Sequence, residues 1–143
     1  VIVMEITAGD VFKIDLGDGK PAHYWIVLNH PRNGDEIALI SWTYALNVPV
    51  ITDVWELGAI ICPEFSLSKR SVLFVAKAII RNVTWISEIG ANYIGRAPAE
   101  VLQRARCNLY WFDPFLRPGV KQFAQWYAVE WQPPCGPGPG VRI

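Results

Sequence analysis

The sequence predicts a mainly β domain with C-terminal helices, an α+β chain in which a small β-barrel is capped by one or two helices. Three observations predict it. Gly9 to Thr43 reads as three consecutive strands joined by glycine-marked polar turns, Ser71 to Ile80 reads as a later apolar strand, and helical spacing sets in only at Pro98. With 52% of residues hydrophobic and 18% charged, the chain has enough apolar surface to build a core, which excludes a disordered protein. Its 143 residues suit one domain over 1–132, followed by a Pro/Gly-rich tail over 133–143.

Each element follows from local pattern. Phe12, Ile14 and Leu16 alternate with Lys13 and Asp15, so the first strand has one buried and one wet face. His23 to Leu28 is almost continuously apolar, as in a strand covered on both sides, and Ile37 to Thr43 is β-branched or aromatic at most positions. Gly17-Asp18-Gly19 and Asn33-Gly34 supply the residues that tight turns need. Tyr44 to Glu56, which contains Pro49, reads as an irregular or edge segment, and Ala59 to Cys62 as a short strand ended by Pro63. In Ser71 to Ile80, Val72, Phe74, Ala76 and Ala78 fall on one face and Leu73, Val75 and Lys77 on the other; a further short strand covers Arg81 to Ile86. Pro98 and Glu100 suit a helix start, after which Val101, Leu102, Ala105 and Leu109 keep helical spacing, with Gln103, Arg104 and Arg106 turned outward. A second helix, Val120 to Trp131, carries Phe123, Trp126 and Tyr127 on one stripe, and the proline- and glycine-rich tail is flexible unless docked.

Formal charge is balanced over the whole chain but not along it. Residues 1–64 hold nine acidic and three basic residues, and residues 65–121 hold nine basic and three acidic ones. Such asymmetry makes either a basic surface for phosphates or an acidic partner, or a set of ion pairs between the halves. Three cysteines, Cys62, Cys107 and Cys135, show no Cys-x-x-Cys spacing; together with the absence of a secretory segment this suggests free thiols and a cytoplasmic, reducing setting. The longest apolar run contains Lys77 and is too short to span a membrane.

Three local patterns resemble the MazF/PemK family of toxin–antitoxin toxins. Gly9-Asp10-Val11-Phe12 with Asp15-Leu16 looks like that family's opening strand, and His23 to Asn29 and Leu39-Ile40-Ser41-Trp42-Thr43 look like its second and third. Ser71-Val72-Leu73-Phe74 followed by Ile94-Gly95-Arg96-Ala97-Pro98-Ala99-Glu100-Val101-Leu102 looks like its late strand and the lead into its terminal helix. The resemblance implies an SH3-like barrel, commonly a homodimer, that meets an antitoxin-like protein and cuts single-stranded RNA as a metal-independent endoribonuclease with no cofactor. Its chemistry uses an arginine at the start of the second strand and a Ser or Thr at the end of the third. Here the second strand opens Lys20-Pro21-Ala22-His23, so that arginine is missing and the nuclease signature is altered.

His23 occupies the nearest matching place, and Thr43 and Ser41 are the candidates for the hydroxyl. Histidine is the side chain suited to take and give a proton near neutral pH, which attack of a ribose 2′-hydroxyl on its phosphate requires. As ordinary strand residues, the three would be a hydrogen-bonded rim histidine and two common strand formers. For phosphate binding the candidates are Lys20, Lys69, Arg70, Arg104 and Arg106, the last two forming with Tyr110 and Trp111 either a phosphate-and-stacking surface for single strands or a solvated helix face beside a buried aromatic cluster. Three functions follow: an RNA- or protein-binding toxin-like domain, an active ribonuclease, and a non-catalytic self-associating module. Gly17-Asp18-Gly19-Lys20 lacks the spacing of a phosphate loop, His23 and His30 have no cysteine at metal-ligand spacing, and Asp10, Asp15 and Asp18 read as solvated carboxylates.

Overall fold

A computed structural model describes residues 5–31, 36–48, 53–126, 135–136 and 138. The strands run β1 (Asp10–Ile14), β2 (His23–Val27), β3 (Glu36–Tyr44), β4 (Val54–Trp55), β5 (Ile60–Cys62), β6 (Phe65–Ser66), β7 (Ser71–Leu73), β8 (Ile79–Asn82) and β9 (Asn92–Arg96). The helices are α1 (Thr84–Glu88), α2 (Ala99–Trp111) and α3 (Pro118–Trp126). The coarse class is therefore the expected one, a mainly antiparallel β structure with C-terminal helices. β1, β2 and β3 form within the three stretches expected, with Trp25 across from Ser41 and Phe12 across from Trp25, but Leu16 falls beyond β1 and is exposed rather than on its buried face.

The sheet does not close into the expected barrel. Its order is β4-β7-β3-β2-β1-β9, with β8 also beside β3, and among the described residues no ladder joins β9 to β4 or β8. The two-residue β4 is too short to carry a ladder onward, and β5 and β6 pair only with each other. Gly95 of β9 instead lies against Glu64 and Cys62 of that separate hairpin, in the space a side chain would fill.

Alternation gives β3 two buried faces. Ala38, Ile40 and Trp42 join Val11, Ile26 and Leu28 on one, covered by Val101, Ala105 and Leu109 of α2 and by Val120 and Phe123 of α3. Ile37 and Leu39 join Phe12, Ile14, Trp25 and Val27 on the other, covered by Ile79 and by Ile86 of α1. Ser41 and Thr43 continue that second face, where its apolar character stops.

Several local expectations are corrected. Ser71 to Ile80 is not one strand: a 3-10 turn at Val75–Lys77 separates β7 from β8, and the register on β3 shifts by three residues between them. Leu73, Val75 and Ala78 all reach the same core, which the turn permits and a continuous pleat would forbid. Thr84–Glu88 is helical rather than extended, because Asn82 Oδ1 accepts from the Thr84 backbone N–H and hydroxyl, each at 3.1 Å, and turns the chain. Asp10 is buried, accepting from Thr7 N at 2.9 Å and Arg96 Nε at 3.1 Å. Asp15 and Asp18 do sit in the exposed turn, each capping a backbone N–H two residues on. Gly9 needs its positive φ of 94°: its N–H reaches Val27 O and its carbonyl accepts from Ala97, tying β2 and the start of α2 to one point. The Asn33-Gly34 turn and the end of the second helix, from Tyr127 onward, lie outside the described residues.

The cysteines are not all free. Cys107 and Cys135 form a disulfide, and beside it Trp111 Nε1 donates to Gly136 O at 3.1 Å while Gly138 lies against the Trp111 ring, so the tail is docked on α2 at these residues. The inference of a reducing setting loses its support. Cys62 is free and buried; burial pushes its thiol up, outweighing the backbone N–H groups of Glu64 and Phe65 that favour the thiolate. Iodoacetamide at neutral pH is expected to leave Cys62 unmodified in the native protein, to label that one thiol after unfolding without reductant, and to label all three after reduction. Intact mass reads each step, and native labelling of three thiols would disprove the bridge. No helix among the described residues is long and apolar enough to cross a membrane.

Candidate functional site

The ladder between β2 and β3 ends at Trp25 and Ser41. Beyond it, β2 stays paired with β1 through His23, while β3 follows β7 through Tyr44. Where the two strands part, a groove of about 910 Å3 opens. The turn after β1, the end of β3, the segment from Phe65 to Ser71, the β7–β8 turn and the link before α3 all contribute to its walls.

On its strand side the groove has four polar-tipped residues of the second sheet face: His23 and Trp25 from β2, Ser41 and Thr43 from β3. Trp25 and Ser41 are direct cross-strand partners, and the same register carried two residues further would set His23 across from Thr43. Trp25, Ser41 and Thr43 are 4%, 5% and 8% exposed, and His23 is half-buried. Trp25 Nε1 and, on the opposite face, Trp42 Nε1 are buried without an acceptor, and among the described residues the Ser41 and Thr43 hydroxyls make no hydrogen bond. Buried donors normally find partners; the other two buried atoms without one among the described residues, Trp55 Nε1 and Asn108 Oδ1, lie outside the groove. Among the described residues His23 makes no hydrogen bond to either hydroxyl.

Aromatic and basic side chains frame these four. Tyr24 stacks on Phe65 at 3.8 Å between ring centroids, Lys69 Nζ lies 5.0 Å from the centre of the Tyr44 ring, and Phe74 closes the far wall. Lys20, Lys69, Lys77, Arg81 and Arg117 line the groove against one carboxylate, Asp18. None of those five cations is ion-paired among the described residues; the guanidinium heads of Arg81 and Arg117 each donate to one carbonyl, Ile80 O and Ala76 O, and the Arg81 head lies 5.4 Å from the centre of the Trp85 ring.

The structure thus brings together five of the residues singled out in the sequence: His23, Ser41, Thr43, Lys20 and Lys69. Three others lie elsewhere. Arg70 pairs with Glu56 at 3.6 Å on the surface. Arg106 Nε donates to Leu28 O at 2.7 Å. Arg104 grips Asp53 through two bonds of 2.7 and 2.9 Å and lies 3.9 Å over the Trp55 ring, so the outward helix face beside Tyr110 is not a free phosphate surface. Of the second-half cations, Arg70, Arg96 and Arg104 pair with acids of the first half, as the ion-pair reading of the charge asymmetry expects, while Lys69, Lys77, Arg81 and Arg117 line the groove. Lys77, Arg81 and Arg117 were not singled out from sequence; the only signal was Lys77, a lone charge inside an apolar run where the pleat breaks. Comparison with protein-family models, with curated proteins and with solved structures finds no match.

Proposed function

We propose that the chain binds single-stranded RNA in this groove without cutting it. The observation that carries the reading is the coincidence of five cations that make no ion pair among the described residues with aromatic side chains around one concave surface. Cations track a phosphate backbone and rings stack on unpaired bases, a combination that suits single strands and not duplexes. The toxin-like motifs are compatible with such a ligand, but the reading rests on the groove, since the sheet stays open and the arginine of the nuclease signature is replaced. His23 makes no hydrogen bond to either hydroxyl among the described residues, and the reading is of binding rather than of catalysis.

The test is fluorescence anisotropy of a labelled single-stranded RNA and of its duplex over a range of salt. Affinity for the single strand is expected to fall with salt at a log–log slope of about −3, near the −0.7 per neutralised phosphate that five cations would give if most engage. The RNA is expected to emerge intact by gel. No binding, or binding indifferent to salt, overturns the reading; cleavage lost in His23→Ala restores the ribonuclease alternative.

A further inference from the structure

We propose that the Cys107–Cys135 bond is a redox latch: a small dithiol opens it in the folded protein and frees the segment around Cys135 from α2. The two sulfurs stand in different surroundings. Cys107, on α2, is 2% exposed, whereas Cys135 is half-buried and its neighbour Gly136 is exposed. A reductant therefore meets the bond from the Cys135 side. The composition of the held segment gives it little else to grip with. From Pro133 to Gly140, four of the eight residues are proline and three are glycine. Half of that backbone lacks an N–H, and Cys135 is its one side chain besides the proline rings. At the described positions it meets α2 through Trp111 Nε1, which donates to Gly136 O at 3.1 Å, and through Gly138 against the Trp111 ring. These contacts are weak beside a covalent link between residues 28 apart in the chain.

The step is thiol–disulfide exchange. A thiolate of the dithiol attacks the Cys135 sulfur, the S–S bond breaks, and Cys107 leaves with the electron pair and takes up a proton. The second thiol of the reductant then attacks its own sulfur in the mixed disulfide and releases Cys135 as a thiol. The protein gains two electrons and two protons, and the dithiol becomes a cyclic disulfide. The change stays local because the helices are seated by other residues. Val101, Ala105 and Leu109 hold α2 on the sheet, and Val120 and Phe123 hold α3 there. Opening the latch uncovers the Trp111 indole and the Cys107 thiol on α2. Cys107, Trp111, Cys135 and Gly136 do not line the groove, so the inference stands apart from the RNA reading.

Cys62 reports whether the fold survives, since it is 1% exposed and reacts only when the core opens. The folded protein is treated with dithiothreitol and then with excess iodoacetamide, and the adducts are read by intact mass and peptide mapping. Label is expected on Cys135, then on Cys107 once the segment has left it, and not on Cys62. Acrylamide quenching of tryptophan emission is expected to rise on reduction in the native sequence and to stay level in Trp111→Phe. The double variant Cys107→Ser/Cys135→Ser is expected to fold and to show the quenching of the reduced protein with or without dithiol. Its melting temperature is expected to fall, because its unfolded chain is no longer closed into a loop. An unlabelled Cys135 means that the bond is out of reach and overturns the latch. Label on Cys62, or a double variant that does not fold, makes the bond a structural staple and overturns it equally. Label on Cys135 with Cys107 still protected, or with quenching unchanged, shows the segment still seated on α2 and overturns its release.

Discussion

Replacing Arg104 with alanine is expected to lower unfolding free energy by about 2–3 kcal/mol. Its guanidinium forks onto both oxygens of Asp53, adds a third bond to Val54 O at 2.9 Å, and covers the face of Trp55. Asn108, fully buried on the same helix, donates to Asp53 Oδ2 at 3.1 Å and to Arg104 O at 2.9 Å. This cluster fastens β4 to α2, which the two-residue strand could not manage by its own ladder. Removing the arginine strands a mostly buried carboxylate on one remaining side-chain donor and uncovers an aromatic face. The effect stays below that of a fully buried pair because the Arg104 side chain is 38% exposed against 13% for Asp53. Lys121→Ala is the control: its pair with Asp113 is exposed at both ends and is worth about 0.5 kcal/mol or less. Urea unfolding midpoints measure both. A loss for Arg104→Ala no greater than the control would return Arg104 to the role of a surface cation.

Why Arg104 and Arg106 looked free is a matter of range. Helical spacing reports which side of α2 a residue occupies but not what stands there, and their partners Asp53 and Leu28 are 51 and 78 residues away. The strands β1 to β3 were legible because each pattern is local: alternation in the first, an apolar run in the second, and β-branched and aromatic residues in the third. The break between β7 and β8 was hidden because apolar residues run through it unchanged, and β9 was missed because Asn92–Arg96 buries little besides Gly95. The start of α1 hangs on one side chain, Asn82, acting as a turn former. For the site, the legible half was the polar pair Ser41 and Thr43 that interrupts the apolar row Ile37, Leu39 on one face of β3. The cationic frame was not legible, since Lys20, Lys77 and Arg117 come from three turns that meet only in the fold.

Reversing three groove charges together, Lys69→Glu, Lys77→Glu and Arg117→Glu, is expected to weaken binding of single-stranded RNA by about a hundredfold at moderate salt and to flatten the salt slope by about two. Each cation that meets a phosphate releases about 0.7 of a counterion on a single strand, so removing three removes that much of the entropic drive and adds repulsion. The sequence provides a matched comparison that separates groove from bulk charge. Lys69 and Arg70 are neighbours, yet Lys69 lines the groove and Arg70 faces Glu56 outside it. Lys69→Glu alone is expected to cost roughly fivefold in affinity, and Arg70→Glu less than about twofold, though the two variants carry the same net charge. Equal losses would mean that the basic half attracts RNA as a diffuse field and that the parting of β2 and β3 plays no part in holding it.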